Sequence, residues 1–470
     1  MAEIDTLLKS LLASLDQARL NLSVADGYYE GEQPITFIAP ALQAEFGDRI
    51  CALILNWPRM VADAYEARLD VEGFRYAGNS SADDKLWAVW QANDLDEQSQ
   101  QAHLDSVALS RSYVLVGSGD SPDDMPIVTV ESAMQVFARR DPRTRKITAA
   151  VKRWGVGDAS VGPLEQHAML YLPNSTRHMV LDGSKGWRVS GKVDDHDLGR
   201  PPVAALVNKP RILRPDGISE FHDVIPLADA ANKMATDMMV SGEYHAMPRR
   251  WAVGMKDTDF QDSTGTVVNA WSRDAGTLWA TENTAAKFGQ FTESDLAVFH
   301  NTIKFLGQRV AEIAGLPPHY MGNQAENPAS ADAIRSSESQ LVKRVERKQT
   351  YLGGAWEDVM RLILRFQTGK WDDKARSLET IWRDPSTPTV AQKADAIIKL
   401  ATPLQNGRAI IPIEQAREDL GYTPEQRRRM AEMDRLAEQD PYLAEQDAKA
   451  AADAAARGTD GAATSAPVVG

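Results

Sequence analysis

Cysteine is almost absent. Among 470 residues only Cys51 carries a thiol, which excludes a disulfide framework and any cysteine-rich zinc site and fits synthesis in a reducing compartment. Cys51 itself reads as a small buried apolar residue. Long apolar runs are missing too, so no segment is long enough to span a bilayer. Positive charge is in deficit: 52 Lys and Arg against 66 Asp and Glu leave a formal charge of −14. Such a balance argues against a tight grip on nucleic acid, which rests on many Lys/Arg contacts to phosphate. It leaves room for a protein that DNA merely passes.

Catalytic signatures are equally scarce. There is no G-x-x-x-x-G-K-[ST] phosphate cradle and no G-x-S-x-G nucleophile elbow. The eight histidines (103, 167, 178, 196, 222, 245, 300, 319) form no H-E-x-x-H pair or other metal-ligand spacing. "VGSGDSP" (Val116 to Pro122) contains glycine but leads into no helix and reads as a polar turn. "DDHDLG" crowds Asp194, Asp195 and Asp197 around His196 and could bind a divalent cation. Side chains alternate along an extended chain, however, so a solvated acidic loop is the preferred reading. Met234, Met238, Met239 and Met247 read as core packing before an adaptable binding face. Lys343, Arg344, Arg347 and Lys348 read as an exposed, salt-bridged helix face before a contact with DNA or an acidic neighbour.

What is present is a division by hydrophobic period. The first residues carry an apolar stripe at Ile4, Leu7, Leu8, Leu11, Leu15 and Leu22, an amphipathic helix and not a secretory leader. Helices are expected over Asp48 to Leu69 and Ser80 to Ser110, interrupted by the strand-like "VEGFRY". From Tyr113 to Asn208 strands dominate: "SYVLVG", "MQVFARR" and "ITAAVKRW" about the turn "DPRTRK", then "HAMLYL", "RHMVLD", "GWRVS" and "PVAALVN". Helices followed by strands give an α+β class.

Helices then return. One carries Leu227, Ala231, Met234 and Met238 and ends before Pro248; a polar insert with the strand candidates "RRWAVG" and "GTLWAT" follows. The next opens with a capping-box-like Thr292 and Asp295. Its seam is Leu296, Phe299, Ile303, Leu306, Val310 and Ile313, three and four apart. Gly315 supplies a left-handed stop, and Pro317 and Pro318 forbid continuation. From Ser330, Ile334, Leu341, Val345, Leu352, Trp356, Val359, Ile363 and Phe366 keep one face apolar for about 37 residues, roughly 55 Å of helix. Glycines 353 and 354 are the expected site of any bend. Shorter helices are expected over Val390 to Ala401, Ile413 to Leu420 and Pro424 to about Ala456, before an Ala/Gly/Asp tail with too few large apolar groups to fold alone.

This order of parts resembles the portal proteins of tailed bacteriophages, the head-to-tail connectors of long-tailed phages. "YYEGEQPI", "NWPRMVADAYEARLDVEGFR", "AGLPPHYMG", "NPASADAIRSSESQLVKRVERKQ" and "WEDVMRL" are similar to segments of portals from phages of actinobacteria, and the resemblance runs from Gly27 to Tyr422. It implies a non-enzymatic virion component without cofactors. It also implies a ring, usually of twelve subunits, around a channel for double-stranded DNA at one capsid vertex. Residues 1–215 and 330–388 would form the wing within the shell, 216–247 and 292–315 two stem helices, and 389–450 a helical crown, with 451–470 a flexible tail. Residues 248–291 would form a small α/β clip, with Arg249, Arg250, Trp251, Trp271 and Trp279 as its partner surface. Residues 316–329 would be the tunnel loop, with Leu316, Pro317, Pro318, His319, Tyr320, Met321, Gly322, Asn323 and Gln324 facing the DNA. Implied partners are further copies of the chain, the major capsid protein, scaffolding protein, the terminase large subunit and a head-tail adaptor, and no membrane. The competing reading is an intracellular metal-dependent hydrolase or nucleic-acid-processing enzyme built on the Asp194–Asp197 cluster.

Overall fold

The computed structural model describes residues 2–34, 53–78, 82–119, 125–157, 164–183, 186–246, 250–254, 287–290, 296–322, 331–386, 390–402 and 409–438. Cys51, "GTLWAT", Thr292, Asp295 and the tail from 451 lie outside them. The chain divides into two compact units. The first holds Met1–Arg68, Glu97–Gly117 and Val128–Ala355; the second holds Leu69–Asp96, Ser118–Ile127 and Trp356–Gly470.

In the first unit, α1 (Ala2–Glu30) lies on a sheet of antiparallel hairpins in the order β4 (Val136–Arg140), β5 (Ile147–Val156), β6 (Glu165–Tyr171), β7 (Ser175–Asp182), β8 (Gly186–Val189). The two-residue β9 (Asp194–Asp195) pairs with β7. Strand alternation decides which side chains meet the helix. Ala149, Val151, Ala168, Leu170 and Met179 share the face that packs on Leu8, Leu11 and Leu12. Arg139 and Arg153, on the same face, reach Ser10 and Asp16 of α1. The turn between β4 and β5 is fixed by Asp141, whose Oδ1 accepts from the backbone N–H groups of Arg143 (2.7 Å) and Thr144 (2.9 Å).

A second sheet runs β10 (Val203–Val207), β2 (Arg111–Gly117), β3 (Ile127–Ser132). The central strand, β2, is buried along nearly its whole length, as an apolar "SYVLV" run requires. Beyond it, α5 (Ile225–Ala246) packs on α6 (Ala297–Ala314), and β11 (Arg250–Val253) pairs antiparallel with β12 (Lys287–Gln290). Small residues on α5, Ala228, Ala231 and Ala235, are buried. Leu53 and Leu55 donate their backbone N–H groups to Thr236 (3.3 Å) and Asn232 (2.9 Å) of α5.

The second unit centres on aromatic rings. β1 (Val71–Tyr76) pairs with β13 (Leu378–Trp382). Phe74 meets Trp90 of α3 (Asp84–Ala92) at 5.4 Å between centroids, and Trp90 meets Trp356 edge-on at 4.9 Å. Arg75 bridges Glu379 and Glu418, and Arg427 also reaches Glu418, tying α9 (Ile413–Asp419) and α10 (Pro424–Glu438) to β1. α8 (Val390–Ala401) precedes them.

Three expectations shift. Of the helix expected over Asp48 to Leu69, the described residues 53–69 hold α2 (Trp57–Glu66), which starts only after Asn56 takes the left-handed φ of 46°, with Pro58 in its first turn. The stretch from Ser80 to Ser110 is two helices, α3 and α4 (Leu95–Leu109), parted at Asn93 and Asp94, where Asp94 has a φ of 52°. The long helix α7 (Ala331–Thr368) continues through Gly353 and Gly354. Of its expected face, Leu341, Val345, Leu352, Trp356, Val359 and Ile363 are buried, whereas Ile334 is exposed.

Candidate functional site

A helix end leaves four carbonyls without intrahelical partners. At the end of α6 all four are occupied. Gly315, with a φ of +69°, donates its N–H to the Glu312 carbonyl (3.3 Å), and Leu316 donates back to Ala311 (2.9 Å), the pair of bonds that defines a Schellman close. Arg344 of α7 donates from Nη1 to the Ile313 carbonyl at 2.8 Å. The Tyr65 hydroxyl of α2 donates to Ala314. Arg344 also places a cation at the negative end of the helix dipole. Glycine is favoured at 315 because the backbone is left-handed; a Cβ would also stand 2.7 Å from the Arg344 guanidinium carbon, which would have to move aside.

Tyr65 and Arg344 belong to a larger buried group. The Lys348 ammonium, one turn on from Arg344, pairs with Glu220 and donates to the Asn208 side-chain carbonyl. It lies 4.7 Å from the centroid of the Tyr65 ring. Glu220 is fully buried and Lys348 only 5% exposed. The other Glu220 oxygen meets Lys209 at 2.8 Å, and the Asn208 amide donates to the carboxylate at 3.2 Å. Burial pushes the Glu220 carboxyl up, but Lys348 and Lys209 outweigh it and hold it below the usual carboxylate range. Lys348 goes the other way. Burial, with Lys209 and Arg344 nearby, brings it down to about 8 despite Glu220. Burial and the Glu220 charge push the Tyr65 phenol up, so it stays a donor.

Past Gly315, the chain turns back on the same body. Leu316 and Pro317 are buried, Pro318–Met321 form a 3-10 turn, and Gly322 closes it with a φ of +73°. Tyr320 accepts from Arg68 (3.2 Å), which also meets Glu338 of α7 at 3.3 Å. Gly307 on α6 leaves room for Trp57 and Met321, each of which would lie 3.6 Å from a Cβ there. His319 packs edge-on to Tyr320 at 4.9 Å.

The structure thus gathers Leu316 to Met321 around the end of α6, while Asn323 and Gln324 lie outside the described residues. Along the α6 seam, Val310 is buried, Leu296, Phe299, Ile303 and Leu306 are half-buried, and Ile313 is 45% exposed. Exposed Val298 and Phe305 make a second apolar stripe on this helix. Trp251 stands on β11 over Gly289, with Arg250 beside it in the strand; Arg249, Trp271 and Trp279 lie outside the described residues.

One reading is corrected, and the competing one for the acidic loop finds no support. Lys348 is not on the exposed face: Lys343 is, paired with Glu346 at 2.8 Å, but Lys348 falls three residues after Val345 and four before Leu352, in the buried register. That spacing was the available signal for it. Glu220 and Tyr65 carried none. The Asp194–Asp197 cluster does not converge: Asp194 and Asp195 sit opposite Thr176 and Ser175 on β7, and His196 turns to the Thr176 hydroxyl at 3.3 Å. Among the described residues no group of three or more His, Cys, Asp or Glu could hold a metal.

The profile of the family "Phage portal protein, SPP1 Gp6-like" matches residues 8–444. The portal protein of Mycobacterium phage D29 is 34% identical over 433 residues, covering 90% of this chain and 87% of its own. That of Mycobacterium phage L5 is 33% identical over 441 residues, covering 91% and 87%. A solved structure, "Neck of native GTA particle computed with C12 symmetry", aligns with 77% of this chain and 88% of its own at 13% identity and a TM-score of 0.44.

Proposed function

Because the chain belongs to the SPP1 Gp6-like family of phage portal proteins, structural components of the virion, we propose that its copies close into a ring of about twelve at one capsid vertex, around the channel through which double-stranded DNA enters and leaves. The observation that carries this reading is the closed end of α6. A rod whose last turn is capped by Gly315 and clamped by Tyr65 and Arg344 gives residues 316–329 a fixed root, which a loop held against a sliding duplex needs. His319 and Tyr320, at the start of that loop, pack edge-on to one another at 4.9 Å. The net charge of −14 fits the same task, since a channel that lets DNA slide must not hold its phosphates.

In this ring the stem is α5 and α6. Their exposed apolar residues, Met239, Val298, Phe305 and Ile313, are covered by the neighbouring copy. The wing and the long helix α7 sit in the shell against the major capsid protein and its scaffold, the clip around β11 and β12 meets the terminase large subunit and later the head-tail adaptor, and the helices from α8 onward face the genome.

Electron microscopy of the purified chain tests the ring: closed rings with a central hole support it, and compact monomers or dimers overturn it. Altering His319 to Gln324 tests the loop. Rings that assemble but package slowly, or fail to retain DNA, are expected; unchanged packaging would remove the loop from the channel.

A further inference from the structure

Between β10 and α5 the chain throws out a narrow turn whose tip is apolar. Arg211 and Arg214 close it with two reciprocal main-chain bonds, 3.1 and 2.9 Å long. Ile212 and Leu213, at its tip, are 79% and 90% exposed, the highest values among the exposed large hydrophobic residues of the described chain. The base is stiff. Gly217 donates to Arg214 (3.1 Å), Ile218 donates to Asn208 (3.2 Å), and the Asn208 amide returns a bond to Ile218 (2.8 Å). Lys209 is pinned to Glu220 at 2.8 Å, and Pro210 and Pro215 flank the tip. Gly217 packs so closely that a Cβ would lie 2.1 Å from the Asn208 carbonyl.

Such a turn holds two aliphatic side chains in water with their ordering already done, which is how a docking element lowers the entropy of binding. Neither Arg211 nor Arg214 meets a carboxylate among the described residues. An aliphatic tip between two open guanidinium groups fits an apolar hollow with acidic residues at its rim. Bare phosphate suits it poorly, because Ile212 and Leu213 would remain in water.

We propose that this Arg211–Arg214 turn docks into the neighbouring copy of the chain in the ring. The proposal rests on the ring reading above. Charge favours that occupant: each copy carries a formal −14, so copies repel on average, and a cationic tip is a place where one can be drawn to the next. The turn also leads directly toward α5, whose exposed face the ring reading already assigns to a neighbour.

The experiment compares the full chain with the double variant Ile212→Ser, Leu213→Ser, and with Arg211→Glu, Arg214→Glu. Both pairs stand in solvent, so circular dichroism and melting of dilute protein are expected to match the parent. Ring assembly, followed by sedimentation and electron microscopy, is expected to need at least about tenfold more protein for either variant, a change of about 1.4 kcal/mol. A photo-crosslinker in place of Leu213 is expected to join copies within rings, with the partner peptide read by mass spectrometry. Parent rings with variants that assemble at the same concentration overturn the docking and leave the ring standing. A parent that never forms rings overturns both. Normal variant rings that fail to enter capsids, or a parent that binds phosphatidylglycerol vesicles through this tip, give the turn a different partner and also overturn the proposal.

Discussion

Lys348→Met removes the cation from the buried group beneath the end of α6. Taking one partner from a buried pair ordinarily costs about 3–5 kcal/mol. Here Glu220 keeps Lys209 at 2.8 Å and the Asn208 amide at 3.2 Å, so the expected loss at pH 7 is about 2 kcal/mol. The dependence on pH is more telling than the size. Folding lowers the Lys348 pKa from 10.5 to about 8. Between those values the unfolded chain holds a proton that the folded chain lacks, so unfolding takes one up and stability rises with pH. From pH 7 to pH 10 that is a gain on the order of 2 kcal/mol for the parent, which the methionine variant lacks. The gap between the two therefore widens as pH rises. Urea unfolding of both proteins at pH 7, 8, 9 and 10 measures it, the groups common to both cancelling in the difference. A gap that narrows with pH would mean a lysine stabilised in its charged form, and would refute the view that burial outweighs Glu220.

Gly217→Ala is expected to destabilise more than Gly315→Ala, although both replace a left-handed glycine. The first drives a methyl onto the backbone carbonyl of Asn208, whereas the second meets a guanidinium that can swing away; midpoints for the two, with the second near about 1–2 kcal/mol, check the order. Tyr65→Phe strips the Ala314 carbonyl of its donor and is expected to cost about 1–2 kcal/mol while raising amide exchange around Leu316; protection equal to the parent's would count against the clamp. Asp194→Ala is expected to change neither stability nor calorimetric Mg²⁺ and Mn²⁺ titrations, and a cation lost with that carboxylate would revive the metal reading. Burial and the neighbouring His167 lower the pKa of His178 below 6.5. Acidification through pH 6.5 therefore favours the unfolded chain, which takes up the proton more readily, and His178→Gln is expected to flatten that limb of the stability profile.

Much of the molecule was legible in its periodicity. The α1 stripe is buried at Leu8, Leu11, Leu15 and Leu22, and the strands written in "ITAAVKRW", "HAMLYL" and "RHMVLD" pair as consecutive hairpins. Gly315 stops its helix with a positive φ because only that geometry returns two amides to the last turn. The misreadings have a common cause. Charge alone places Lys348 in solvent, and distant partners, Glu220 128 residues earlier and Asn208 with it, make its burial tolerable. Long-range polar partners leave no period in a sequence. Tyr65 was invisible for the same reason, its acceptor being a carbonyl on α6. Asp94 shows the limit of helix propensity: a single left-handed residue parts a pattern whose apolar spacing runs on.

The self-contained finish of α6 has a further consequence. Since its last carbonyls are satisfied by Gly315, Leu316, Tyr65 and Arg344, no residue between Gly322 and Ala331 is needed to finish the rod. The entropic cost of closing a loop grows slowly with its length, about 0.6 kcal/mol per doubling. Insertions or deletions after Gly322 are therefore expected to leave the end of α6 intact, which makes this spot a natural place to splice in tags or charges.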